Sequence, residues 1–198
     1  MANNCLNTLM KLDGSYLDGI FDLYIEDKVP ADKFGSYLDG NFNFGKVIPE
    51  PDLIKIAMFL SEYRISKLDL PESTLLELIN LVDNNDWYEW RKENWGTKQI
   101  AFEVCVDPMD VTFQTLWTPP IKVIAELSKL VKTSLRLTYV EEGAGICGEA
   151  TFINGETIHT AYEDFDEVPD ELRKELDLPE SRYCDEDEQY EDEEFDNK

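Results

Sequence analysis

Positive charge is scarce in this sequence. Eighteen Lys and Arg stand against 43 Asp and Glu, for a formal net charge of −25 and a pI near 4.2. A field of that sign repels nucleic acid, anionic membrane and ATP, so no direct nucleic-acid binding is expected. Histidine is almost absent as well, with His159 alone. The four cysteines, Cys5, Cys105, Cys147 and Cys184, form no CxxC pair. A Cys/His zinc site needs ligands paired at short spacing, so no metal and no other cofactor is expected. Free thiols packed as small hydrophobes in a reducing compartment are the expected state. Apolar runs are short too. Ile54 to Leu60 is broken by Lys55, and nothing approaches the roughly 18 residues that a membrane span needs. Met1-Ala2-Asn3-Asn4 lacks the basic start of a secretory signal, so a cytoplasmic protein is expected.

Of what is present, 42% hydrophobic and 12% aromatic residues suffice for a real core in a chain of 198. The charge is unevenly placed. Residues 161–198 hold 18 acidic and four basic side chains, a net of −14. From Asp185 to Asp196 the acidic run is relieved only by Gln189, Tyr190 and Phe195. Such a run cannot bury apolar surface and is expected to stay disordered. Before it, Val168-Pro169-Asp170-Glu171-Leu172 reads as the start of a short helix that ends before Pro179. The expected organisation is a folded domain over 1–162 and an acidic tail over 163–198.

Within the domain, Cys5 to Leu12 reads as a first strand, closed by the Asp13-Gly14 turn pair. Gly14-Ser15-Tyr16-Leu17-Asp18-Gly19 recurs as Gly35-Ser36-Tyr37-Leu38-Asp39-Gly40. Two copies do not make a solenoid, and the spacing is not that of an EF-hand. Leu53, Ile56, Ala57 and Leu60 mark one face of a helix over Asp52 to Arg64. A second helix from Glu72 carries Leu75, Leu76, Ile79 and Val82, and its pattern extends through Trp87 and Trp90 toward Asn94. A hairpin follows, Gln99 to Val106 and Val111 to Trp117. Next come a helix opened by Pro119-Pro120 and a strand over Ser134 to Glu141. Cys147 to Ala161 forms a last hairpin around Asn154-Gly155. Strand, helical insertion (about 14–94), hairpin, helix, strand is the order of a ferredoxin-like α+β fold. Its helices pack on one face of an antiparallel sheet.

Two tryptophan motifs go further. Asn94-Trp95-Gly96-Thr97-Lys98 and, after the hairpin, Leu116-Trp117-Thr118-Pro119-Pro120-Ile121 resemble those of the YubB ferredoxin-like family, which phages and conjugative plasmids encode. Phe44-Gly45-Lys46-Val47-Ile48-Pro49, Tyr139-Val140-Glu141-Glu142-Gly143 and Asn154-Gly155-Glu156 fit the same pattern. The resemblance covers residues 3–160 or so and leaves the acidic tail outside. It departs at Gln99, where family members carry an aromatic residue. The resemblance implies a mobile-element protein, among genes that counter host defence. It carries over no catalytic residue.

The chemistry-bearing candidates divide as follows. Trp95 and Trp117 are of a type that stacks bases on a sheet, yet no basic surface accompanies them. Packing of Asn94-Trp95-Gly96 against Trp117 is the expected role, with Gly96 allowing close backbone approach. Glu141 and Glu142, beside Gly143, are suited to acid–base work or to a metal, or form a solvated strand end. The last is expected. His159 has no Ser or Cys partner in a recognisable motif and is expected on the surface. No phosphate-binding glycine loop is present, and no enzyme is expected. Interaction remains. Asp185, Glu186, Asp187, Glu188, Glu191, Asp192, Glu193 and Glu194 can imitate phosphate spacing and attract a basic host protein, such as a nucleic-acid-binding defence effector. The alternative is a small-molecule-binding protein or enzyme whose tail only solubilises it.

Overall fold

A computed structural model of the chain describes residues 3–17, 23–26, 29–30, 37–63, 71–84 and 86–179. Strand β1 (Asn4–Lys11) alternates as a half-buried strand must, with Cys5, Asn7 and Leu9 inward and Asn4 and Leu6 toward solvent. It lies between β6 (Asp110–Leu116) and β7 (Leu135–Glu141), so that Leu9 faces Val111 on one side and Leu137 on the other. The hairpin that delivers β6 begins with β5 (Ala101–Val106), and α4 (Ile121–Val131) crosses from β6 to β7. The resulting order, β5-β6-β1-β7 with every pair antiparallel, is the ferredoxin-like sheet.

The sheet grows beyond that unit on both sides. β8 (Ile146–Ile153) and β9 (Glu156–Tyr162) add a hairpin next to β7. Its turn residues Asn154 and Gly155 both have positive φ, 50° and 85°, as a twisted two-residue turn requires. On the far side, β4 (Tyr37–Phe42) pairs with β5, and the two-residue strands β2 (Ile25–Glu26) and β3 (Val29–Pro30) pair with β4. The insertion is therefore not wholly helical. Three strands precede its helices, and among the described residues the sheet has nine. β4 escapes the sequence pattern because Asp39-Gly40-Asn41 reads as a turn and its pairing with β5 is twice shifted in register. Gly40 is needed there, since a Cβ would lie 2.8 Å from Ile25 Cγ2. The two copies of the repeated hexapeptide take different forms where described. Gly14–Leu17 is irregular and Tyr37–Gly40 is strand.

Helices α1 (Asp52–Tyr63), α2 (Glu72–Asp83) and α3 (Asp86–Trp95) follow β4. The second expected helix is thus two. Asn84 caps the end of α2, and Asp86 opens α3. The core lies between the inner sheet face and α4, where Val123, Ile124 and Leu127 meet Leu135, Leu137, Ala150 and Phe152. Phe42, Phe44, Phe113 and Trp95 extend it through edge-to-face ring contacts at 5.1–5.9 Å.

One helix lies on the other face. Val140 and Cys147 are register partners pointing away from the core side, and Val168 and Leu172 cover them. Leu172 sits on α5 (Asp170–Glu175), so helices occupy both faces rather than one. Residues 163–179, expected to begin the tail, are packed structure. Arg136 fastens α5 through Glu175 at 2.8 and 2.9 Å while holding Glu149. No helix among the described residues is long and apolar enough to cross a membrane.

Candidate functional site

Parity along the strands gathers a pocket at one end of the inner sheet face. Cys5 on β1, Tyr139 and Glu141 on β7, and His159 on β9 all point to the core side. The chain leaving β6 at Trp117–Pro119, the first turn of α4 at Ile121 and Lys122, and Gly96 close the opposite wall. The pocket is a half-open cleft of about 410 Å³, and its walls are mainly apolar.

Two polar devices stand in it. Tyr139 Oη and His159 Nε2 share a hydrogen bond of 2.8 Å, and the rings are tilted at 5.7 Å. Burial pushes the phenol well above its ordinary range, and the partial desolvation of the imidazole against the sheet holds it below its own, so both stay neutral near pH 7. His159 is exposed at the strand edge, as expected, yet its ring has a buried partner. The Glu141 carboxylate is the second device. It is only 3% exposed, and its oxygens accept the N–H groups of Gly143 at 3.0 Å and Ala144 at 2.7 Å. Glu141 is therefore not a solvated strand end but the clasp of the β7–β8 turn, whereas Glu142 is exposed. Burial raises the Cys5 thiol to about 12, the reverse of what a nucleophilic cysteine needs. The arrangement is suited to holding a molecule, through apolar walls, a neutral Tyr139–His159 pair and the charged groups Glu141 and Lys122.

The tryptophan motifs separate. Trp95 is 1% exposed, donates from Nε1 to the Ile48 carbonyl at 3.0 Å, and packs on Phe44 and Trp90. Asn94 donates back to the Trp90 carbonyl. Trp117 does not pack on Trp95 as expected but stands 45% exposed at the pocket mouth, with φ of 70°. The cause is the backbone on either side. Trp117 N–H donates to Asn3 O, and Thr115 Oγ1, which accepts from Asn7 Nδ2, donates to Thr118 O at 2.8 Å. The link between the motifs is Gly96, where φ is 84° and a Cβ would approach Pro119 O to 3.1 Å. Close approach at Gly96 is thus as expected, but it serves the Pro119 backbone.

Tyr139, His159, Cys5 and Lys122 were not legible as a site in the sequence. Only the shared parity of Tyr139 and Glu141 hints at it, because their convergence needs the strand order. The acidic residues Asp185, Glu186, Asp187, Glu188, Glu191, Asp192, Glu193 and Glu194 lie outside the described residues. Among the described residues, no group of three His, Cys, Asp or Glu could hold a metal ion.

A family model described as the ferredoxin-like domain in Api92-like protein matches residues 89–197, more than half of the chain. The chain belongs to this Api92-like family. The match starts within α3 and includes α5 and the acidic run, the part that the resemblance read from the motifs left outside. The crystal structure of a protein Api92 from Yersinia pseudotuberculosis is similar at 9% identity, covering 81% of this chain and 98% of that one, with a TM-score of 0.38. No curated protein matches the chain. The pocket draws on α4 and β7–β9 inside the region that the Api92-like family model matches and on β1 outside it.

Proposed function

We propose that this Api92-like protein is a mobile-element protein of the YubB kind that inhibits a bacterial defence system by binding directly to one of its basic, nucleic-acid-binding proteins in the host cytoplasm. The acidic run from Asp185 to Glu194 stands in for nucleic-acid phosphates. Charge carries this reading, with −25 overall and −14 within residues 161–198. Such a field steers a basic groove toward the protein and repels nucleic acid itself. The packing of Val168 and Leu172 supports a division of labour in which 163–179 fastens the acidic run to the sheet.

Capture from bacterial lysate tests it with three proteins: the full chain, a chain ending at Pro179, and the full chain with the eight named carboxylates changed to amides. A basic nucleic-acid-binding protein held by the first and lost from the other two, and released by salt, is expected. A partner held equally by all three would overturn mimicry by this run. Ending the chain at Tyr162 instead would also strip Val168 and Leu172 from the sheet and confuse loss of charge with loss of structure.

A further inference from the structure

We propose that the pocket at the end of β1, β7 and β9 binds a small planar aromatic carboxylate, its ring on Trp117 and its charge met by Lys122 of the pocket wall and by Lys98 beside Trp117. The inference is independent of the acidic run.

The cavity comes first. About 410 Å³ with mainly apolar walls lies within the range of small-molecule sites and holds a molecule of two fused rings. Sites of that kind fix orientation with a few polar groups, and here the Tyr139–His159 pair stands ready at 2.8 Å.

Trp117 is the second observation. A bulky residue at φ 70° is a real backbone outlier, a conformation kept only where its surroundings fix it. The hydrogen bond from Trp117 N–H to Asn3 O and the Thr115–Thr118 contact over-determine the position. What they achieve is an indole held 45% exposed at the cavity mouth, though tryptophan gains most by burial. A flat ring that displaces the Lys98 ammonium from the indole would recover that burial and leave Lys98 to meet the ligand's charge.

Cations stand at and beside the mouth in a protein short of them, Lys122 in the pocket wall and Lys98 next to Trp117. Lys98 Nζ lies 5.3 Å from the Trp117 ring centre. Lys122 Nζ donates to the Glu93 carbonyl. Neither has a carboxylate partner among the described residues, a trait shared with Lys132 and Lys174, whereas Lys46, Lys55, Lys92 and Lys129 each sit against one. Glu141 lines the same pocket, and its two backbone N–H donors offset its charge only in part, so the ligand's carboxylate is set at the lysines of the mouth and its apolar ring faces inward. The net charge of −25 does not cancel this local field, because salt at 0.15 M screens exposed charges beyond about 8 Å.

The test uses the full chain with 2-naphthoate as probe and 2-naphthalenemethanol as its uncharged counterpart. NMR follows the Trp117 indole N–H and the ring of the lone histidine. Naphthoate should shift both signals saturably with a Kd of about 1 mM or tighter, set by its size. The alcohol should bind at least about fivefold weaker, as one screened charge contact is worth roughly 1 kcal/mol. Lys98→Gln should remove most of that difference without touching the fold. Trp117→Ala should weaken naphthoate about tenfold and Trp117→Phe much less, in line with the 1–3 kcal/mol of stacking on an aromatic side chain. A chain ending at Pro179 should bind naphthoate as the full chain does, so failure of the acidic-run reading leaves this result intact. No saturable shift at Trp117 up to about ten times the expected Kd would overturn the proposal. So would equal binding of acid and alcohol, or indifference to Trp117→Ala.

Discussion

Replacing Glu50 with glutamine probes how the pocket mouth is held. Glu50 and Arg91 form a buried pair, their side chains 7% and 8% exposed, with Nε and Nη2 reaching the two carboxylate oxygens at 2.5 and 3.1 Å. The guanidinium also lies 4.7 Å from the Trp95 ring centre, and its Nη1 donates to the Lys98 carbonyl at 3.1 Å. The Arg91 carbonyl accepts from Gly96 N–H. Arg91 thus ties the α3 core to Gly96 and Lys98, at the edge of the site. Removing one partner of a buried pair costs about 3–5 kcal/mol, because the other charge is left uncompensated. Glutamine keeps one acceptor oxygen, and the Lys98 carbonyl and Trp95 contacts survive, so the lower end applies, about 3 kcal/mol. For a chain of this size that lowers Tm by about 6–12 °C. Urea or thermal unfolding followed by circular dichroism at pH 7 measures it. The double variant Glu50→Gln with Arg91→Met should lose clearly less than the two single losses combined, since no orphan charge remains. A loss below about 1 kcal/mol for Glu50→Gln, or strict additivity in the cycle, would place the pair with solvated surface bridges and refute the reasoning.

Three further outcomes are expected. A chain ending at Tyr162 should lose about 3–6 kcal/mol, because Val168 and Leu172 leave Val140 and Cys147, whereas one ending at Pro179 should unfold like the full chain in a urea titration. The lone His159 should titrate below the ordinary histidine range by proton NMR, because partial burial disfavours its charged form. The stability tied to neutral His159 is present above its unfolded pKa and is lost as pH falls through the lowered folded value. Cys5 in the native protein should react slowly with iodoacetamide at pH 8.5, and stability should decline as pH rises from about 9 toward 12, because the unfolded thiol ionises first. Cys5→Ala should flatten that slope.

The pattern of the chain determined its elements where periodicity was strong. Leu9, Val111, Phe113, Leu135 and Leu137 alternate as strand residues must, and Val123, Ile124 and Leu127 mark the buried stripe of α4. Their order was enough to reach the ferredoxin-like sheet. The acidic excess was legible too, since charge is additive along a sequence and needs no contacts. Tertiary structure decided the rest. β4 became a strand because β5 offered it an edge, against the turn-like reading of Asp39-Gly40-Asn41. Val168 and Leu172 became core because Val140 and Cys147 left an apolar patch on the outer sheet face. Glu141 was buried because the turn beyond it presents two N–H groups. Trp117 was turned outward by hydrogen bonds from residues more than a hundred positions away. Tyr139 and His159 are twenty residues apart in sequence and meet only because β9 folds back on β8 beside β7. Period and charge are local or additive properties, so the sequence alone determined them. A pocket is a coincidence of distant side chains, and only strand order and register could bring it about.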